Sequence, residues 1–468
     1  MDKYTQARLS SQVSRVQKSR QQMLQDQDLC LTELLPKEQI EEAIERHQVR
    51  FRQRLYTPLI TIWTFLYQVL ATDQSCRAAV ARLLAFLCVS GRGSGSAKTD
   101  PYCKARKRVP EDVVADLART SGSDLQHEVP STGLLGGRPI KIVDGTTVSM
   151  PDTPANQKAY PQEPGQKKGL GFPIMRLVGL ISLSCGAVLD VAMSRYSGKR
   201  TGETALLQRL LDRLEVGDIL LADAMFSNYW TIAMLLVRGV DIVSRHDGKR
   251  KLDFRKGRGL GRYDYIVDWV KPQQPLWMSH QLYASLPDSL SIRQLKVKIH
   301  QKGFRCRHLH IVTTLLDAEL YSKEELATAF RCRWHAELDL RSIKQVMQMD
   351  VLRCKSPSMV RKEIWMHLLA YNLVRTLMAR AALEAGVCSR DISFKGTLQT
   401  MLAFAAADWS CPGRRNDLYA AVLRAVPTHR VNDRPDRIEP RAVKRRPKKA
   451  RLLNEPRTIA KARLLNGT

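Results

Sequence analysis

Between Phe330 and Met347 the chain reads FRCRWHAELDLRSIKQVM, with Arg333, Glu337, Arg341 and Lys344 following Phe330 at helical spacing. At about 100° per residue all four fall within roughly 60° of Phe330, in one polar stripe about 21 Å long. Ala329, Ala336, Leu340, Ile343 and Met347 make a separate apolar stripe suited to packing on a sheet. A glutamate among bases on one helix face is, by itself, an ordinary solvated surface. Two carboxylates upstream alter its meaning. Asp144 stands in KIVDGTTV and Asp223 in ILLADAMF, in or at the end of apolar runs. A carboxylate there is costly to bury unless it is paired or bound to a cation. Either aspartate alone reads as a turn or cap residue. Together with Glu337 they are hard oxygen donors on two strands and one helix, a set that suits two Mg²⁺ ions. Two such ions about 3.5–4 Å apart serve the attack on a phosphodiester and the departure of its leaving oxygen.

Phe330-x2-Arg333-x3-Glu337-x6-Lys344 resembles the Tyr-x2-Arg-x3-Glu-x6-Lys signature of the insertion-sequence-four family of DDE transposases. VDGTTV and LLADAMFSNYW are similar to that family's two aspartate motifs, in the same order. The resemblance runs from about Arg138 to Ala406. It departs from the family at Phe330, where tyrosine is usual, and at Ala224–Met225, where Arg-Gly usually follows the aspartate. Neither departure removes an acidic residue.

The resemblance implies an α/β chain with an RNase H-like mixed sheet and flanking helices. A β-rich insertion interrupts the sheet, and a helical region precedes it. Asp144, Asp223 and Glu337 would be the catalytic residues and would bind two Mg²⁺ ions, with Mn²⁺ as a substitute. Arg333, Lys344, Arg341 and Phe330 would lie against DNA. The partners would be double-stranded DNA, as transposon inverted repeats and as target, and a second copy of the chain in a paired-end complex. The reaction would release 3′-OH ends by hydrolysis and join them to target DNA, with a hairpin intermediate on the second strand. A catalytically inactive, domesticated DNA-binding relative is the alternative. A basic scaffold on RNA or membrane, without catalysis, is a third reading.

The elements that must position these residues follow from pattern. Residues 1–130 read as a helical, DNA-binding region, including LLPKEQIEEAIERHQ with Pro36 at a helix start. A short helix around Glu111–Ala118 precedes the loose SGSDLQHEVPSTGLLGGR. Residues 138–246 hold three consecutive strands, then alternating helix and strand, which gives the first part of a mixed sheet. Within them GETALLQRLLDRL reads as an amphipathic helix. Residues 247–306 form the β-rich insertion, 307–406 the second part of the core, and 407–468 a basic tail in which Lys444, Arg445 and Arg446 would bind DNA.

The 468 residues carry a net charge of +29, an excess that favours a polyanionic partner. The longest apolar run, around Leu59–Ala71, is too short for a bilayer, which needs roughly 20 apolar residues. The first twenty residues have no apolar signal core. A cytoplasmic, nucleoid-associated protein without a membrane partner is expected. The 10 cysteines form no CxxC pair and read as free thiols. Cys306, His308 and His310 alternate along a strand, a pattern that suits strand packing better than a zinc site. GRGLGR lacks the spacing of a phosphate-binding fingerprint. Trp269 and Trp277 in the insertion read as packing residues, with base stacking as the alternative.

Overall fold

The computed structural model describes residues 33–52, 54–89, 95–248, 250–298, 308–405, 415–431 and 454–466. Lys444, Arg445, Arg446 and Cys306 lie outside them. The chain divides into two compact units. One is drawn from Met1–Leu125 and Arg361–Val431, the other from Gln126–Val360 and Asn432–Thr468.

The first unit is helical. Helices α1 (Lys37–Arg46), α2 (Pro58–Leu70), α3 (Cys76–Val89), α4 (Asp100–Arg108) and α5 (Glu111–Glu128) follow one another. Pro36 caps α1, as its position in the sequence implies. Helix α2 is buried almost all round, which its continuous apolar sequence requires. Its one buried amide, Gln68, accepts from Tyr102 Oη at 2.7 Å and Arg106 Nη1 at 3.1 Å, so α4 is tied to α2 through a satisfied polar group. Helix α5 runs ten residues past the expected Ala118. Ser121, Gly122 and Leu125 are buried in it, and Asn372 donates to the Ala118 carbonyl at 2.9 Å. Burial there outweighs the poor helix propensity of Ser-Gly-Ser.

The second unit is built on a nine-stranded sheet of order β3-β2-β1-β4-β5-β9-β8-β7-β6. The strands are β1 (Ile140–Ser149), β2 (Ile174–Ser182), β3 (Val188–Arg195), β4 (Ile219–Ala222), β5 (Asp241–Arg245), β6 (Arg258–Gly261), β7 (Asp264–Val270), β8 (Ser289–Lys298) and β9 (His308–Thr313). Strands β1, β2 and β3 form an antiparallel meander, turned between β2 and β3 at Gly186 with φ +79°. Strands β4 and β5 continue from β1 in parallel, and the remaining pairs are antiparallel. This is the mixed sheet expected. The expected helix after Gly202 is shorter than its pattern: α6 covers only Glu203–Leu207, and a 3₁₀ turn at Leu211–Arg213 follows. Helix α7 (Tyr229–Leu236) links β4 to β5, and α8 (Lys323–Arg331) and α9 (Trp334–Arg341) follow β9. The inserted strands β6–β8 extend the same sheet rather than leaving it. Arg293 on β8, 1% exposed, makes a bidentate pair with Asp264 on β7 at 2.9 and 2.7 Å and donates to the Tyr321 carbonyl ahead of α8. Beyond α9, α10 (Pro357–Ala385), α11 (Phe394–Phe404) and α12 (Arg415–Ala425) return to helix, and from Arg361 the chain belongs to the first unit. No helix among the described residues is long and apolar enough to cross a membrane.

The register of β1 against β4 is fixed at its lower end. Ile140 pairs with Ile219, Lys141 with Leu220 and Ile142 with Leu221. Lys141, 1% exposed, places Nζ 2.6 Å from Asp218 Oδ2, just ahead of β4, and donates to the Arg213 carbonyl. Removing one member of a buried pair strands the other charge and costs about 3–5 kcal/mol, whereas replacing both by apolar groups is close to neutral. Lys141→Met should therefore lower unfolding free energy in urea by about 3–5 kcal/mol. Lys141→Met with Asp218→Leu should recover most of it. A single variant as stable as the wild type would show that this pair does not hold the register.

Candidate active site

Asp144 and Asp223 each lie two residues beyond the last hydrogen-bonded pair, Ile142↔Leu221. Continued by two residues, that parallel register would set them level with each other, about one strand spacing (~4.8 Å) apart. Asp144 is partly buried on β1, and its Oδ1 accepts from the Gly145 N–H at 2.9 Å. Asp223 is exposed at the end of β4. It caps the 3₁₀ turn Ala224–Phe226, accepting from the Ala224 N–H at 2.7 Å.

The helical stretch that carries Glu337 is not one continuous helix. It tightens at Cys332–Arg333, where Arg333 N–H bonds Phe330 O at 3.1 Å and Ala336 N–H bonds Arg333 O at 3.0 Å, both three residues back. It then widens into a π turn at Ser342–Val346, where Met347 N–H reaches Ser342 O at 3.1 Å, five residues back. Tightening advances the helix phase and widening retards it, so the uniform stripe expected from 100° steps is broken up. Arg333, Glu337 and Lys344 gather toward β1. Phe330 is 9% exposed and packs inward instead of lying on the polar surface. Arg341 is exposed, and its Nε donates to Gln345 Oε1 at 3.0 Å, away from the other three. Of the apolar stripe, Ala329, Ala336, Ile343 and Met347 are buried and Leu340 is half-buried.

Arg333 stands between two carboxylates. Its Nη1 lies 3.7 Å from Asp144 Oδ2, and its Nη2 donates to Glu337 Oε1 at 3.1 Å. Lys344 Nζ donates to Thr146 Oγ1 at 3.1 Å. Thr146 is two residues along β1 from Asp144, on the same face. One helix thus delivers a guanidinium and an ammonium to consecutive same-face positions of one strand.

A fourth carboxylate lies close enough to act on the charge of Asp144. Glu203, in the first turn of α6, rests against Gly145, where a Cβ would overlap its carboxyl group. Sequence reasoning missed it. Its one trace is the glycine directly after Asp144, which has no visible tie to a residue 58 positions on. Burial pushes the Asp144 carboxyl up to about 6. The Arg333 charge and the Gly145 N–H oppose that rise, and Glu337 and Glu203 add to it.

The donors around Asp144 are all carboxylate oxygens, and their repulsion raises a pKa that a bound cation would lower. That chemistry fits a hard divalent ion. Among the described residues, no three His, Cys, Asp or Glu side chains converge at ligating distance. Glu337 is held by Arg333, so joining the aspartates around an ion requires that ion pair to rearrange. His310 and His246 are both shifted toward the neutral form, chiefly by burial.

Residues 135–373 match the family model described as a transposase DDE domain. The chain is 27% identical over 356 residues to the transposase InsG for insertion sequence element IS4 of Escherichia coli (strain K12), across 74% of this chain and 76% of that protein. It is 36% identical over 67 residues to the putative transposase InsL for insertion sequence element IS186A of the same strain, which covers 14% of this chain and 18% of the relative. Among solved structures, a piggyBac transposase synaptic complex with hairpin DNA aligns over 84% of each chain, with a TM-score of 0.41 and 10% identity.

The Asp144 shift has a signed consequence for stability. With its folded pKa near 6 against an ordinary 3.8, the fold favours the protonated form. Stability from this group is complete below pH 4 and is lost as pH rises through 6. At 1.36 kcal/mol per pKa unit the loss is about 1–3 kcal/mol. In metal-free buffer, Asp144→Asn should therefore be more stable than the wild type by that amount at pH 8, and the gap should close near pH 4. Urea unfolding at the two pH values measures it. An Asn variant that is less stable at pH 8 would mean that the ion pair with Arg333 outweighs burial.

Proposed function

The chain belongs to the transposase DDE domain family, enzymes of DNA cleavage and strand transfer, and we propose that Asp144, Asp223 and Glu337 are its acidic triad. What supports this reading is that Asp144 and Asp223 each follow the paired stretch of two adjacent parallel strands by two residues, with Arg333 bridging Asp144 and Glu337. Asp144 and Asp223 supply oxygen donors from a rigid sheet, and Glu337 supplies them from a helix. Together they would hold two Mg²⁺ ions, or Mn²⁺ in their place. When bound, such ions lower the pKa of an attacking water or hydroxyl and stabilise the leaving oxygen.

The chain's own residues do the positioning. Arg333 offsets the repulsion among Asp144, Glu337 and Glu203 while no substrate is present. With DNA in place its planar fork suits a phosphate beside the cleaved bond. Lys344, oriented by Thr146, supplies a second positive charge to the same strand. Phe330 holds from the core side the tight turn that presents Arg333. Arg341 lies farther out and would meet phosphates away from the reacting bond, and the Lys444–Arg446 block would serve as a further basic arm. The substrates we assign are the inverted repeats of an insertion sequence and a target duplex. Hydrolysis would leave 3′-OH ends that then attack target DNA. Holding two ends together calls for a homodimer on DNA, and the second strand would be cut through a hairpin. A cytoplasmic, nucleoid-bound location accords with a DNA substrate.

Asp144→Ala, Asp223→Ala and Glu337→Ala should each abolish Mg²⁺-dependent nicking of a duplex carrying the element's ends, with end binding retained in gel-shift assays. Wild-type cutting in excess chelator would exclude the metal reading, and wild-type rates in any one variant would remove that residue from the triad.

Arg333→Ala and Lys344→Ala should leave the fold intact and slow nicking by roughly 10–100-fold, the equivalent of about 1.5–3 kcal/mol for a charge-assisted contact. Each should also flatten the salt dependence of binding by about one phosphate contact. If these bases form only surface ion pairs, nicking rate and salt slope stay at wild-type values.

A further inference from the structure

The helical unit holds two adjoining depressions of about 330 and 390 Å³. Arg54, Tyr56 and Arg108 line both, which makes them one continuous groove. Arg50 and Arg52 border the first, on the segment between α1 and α2, and Lys104 borders the second, one turn before Arg108 on α4. Arg50, Arg52, Arg54 and Arg108 are all exposed, and none of their guanidinium groups bonds or pairs with a described residue. Three other arginines of the unit are engaged: Arg46 pairs with Asp116, Arg361 with Glu111, and Arg106 is buried against Gln68. The one acid in the groove's lining, Asp100, is taken by Lys104 at 3.4 Å. Like charges held together without counter-charges repel each other, so a polyanion is the ligand that relieves them. Guanidinium forks suit phosphate oxygens in particular.

We propose that this arginine-lined groove holds the sugar–phosphate backbone of duplex DNA, by phosphate contact and without reading bases. The inference rests on the transposase reading above and adds a second DNA contact, separate from the acidic residues. The groove is open and runs across a segment and a helix end, which suits a strand passing along it. Phosphate contacts fix register and orientation and carry no sequence information of their own. Loss of the groove should therefore weaken every duplex alike.

The test uses the full chain and two labelled duplexes of equal length, one with the inverted repeat that flanks the gene and one scrambled. Binding is titrated between about 50 and 300 mM KCl, where each phosphate contact contributes about 0.9 to the slope of log affinity against log salt. The triple variant Arg50→Gln, Arg52→Gln, Arg54→Gln should flatten the slope by about two to three units, and Arg108→Gln by about one, equally on both duplexes. Arg108→Lys should keep the wild-type slope, and thermal unfolding of all variants should match the wild type. An unchanged slope in the triple variant, while the wild type binds and nicks end DNA with Mg²⁺, overturns the groove and leaves the transposase reading standing. A loss confined to the repeat duplex overturns backbone contact in favour of base reading. A wild-type chain that neither binds nor nicks the repeat duplex overturns both.

Discussion

Everything at the acidic site depends on how β1 lies against β4. The buried Lys141–Asp218 pair sits three residues ahead of Asp144 and five ahead of Asp223, so it fixes the register before either aspartate is reached. Slipping β1 by one residue would turn Asp144 to the opposite face and strand Lys141 without its carboxylate. The same ion pair therefore penalises the wrong register. It adds little to stability relative to an apolar pair, and what it supplies is alignment.

The second dependence is helical phase. A regular α-helix from Phe330 to Met347 would line up five residues on one face. The tightened turn at Arg333 and the π turn at Ser342–Val346 distribute them among core, site and surface instead. Arg333 gains contact with both Asp144 and Glu337, and Lys344 reaches Thr146. A departure from regular geometry can persist where surrounding contacts over-determine it. Here the buried Ala336 and Ile343 lock the two sides of the helix against the sheet.

Much of this was legible in the sequence because it is carried by local pattern. Asp144 and Asp223 stood out as acids in apolar strands, and the order of strands and helices gave the mixed sheet. Pro36 and Gly186 punctuate the chain where their types require. What escaped notice depends on distant contacts. The extension of α5 through Ser121 and Gly122 rests on burial, which propensity does not encode. The approach of Glu203 to Gly145 joins elements far apart in sequence. The break at Arg333 cannot be read from spacing, since a uniform 100° step presumes the helix it is meant to test. The arginines between α1 and α2 read as part of a generally basic chain until α4 folded beside them.

The order of the strands also sets a timetable for the emerging chain. Strands β1 to β5 are complete once residue 245 has been made, and Asp144 and Asp223 have then both emerged. Glu337 is still to come, and so is β9, which covers the open side of β5. During synthesis β5 is for a time an uncovered edge, able to pair with a neighbouring chain. A ribosome that stalls or a message that is cut within the insertion releases a product with Asp144 and Asp223 and without Arg333, Glu337 or Lys344. Such fragments would carry Asp144 without the guanidinium that offsets its burial.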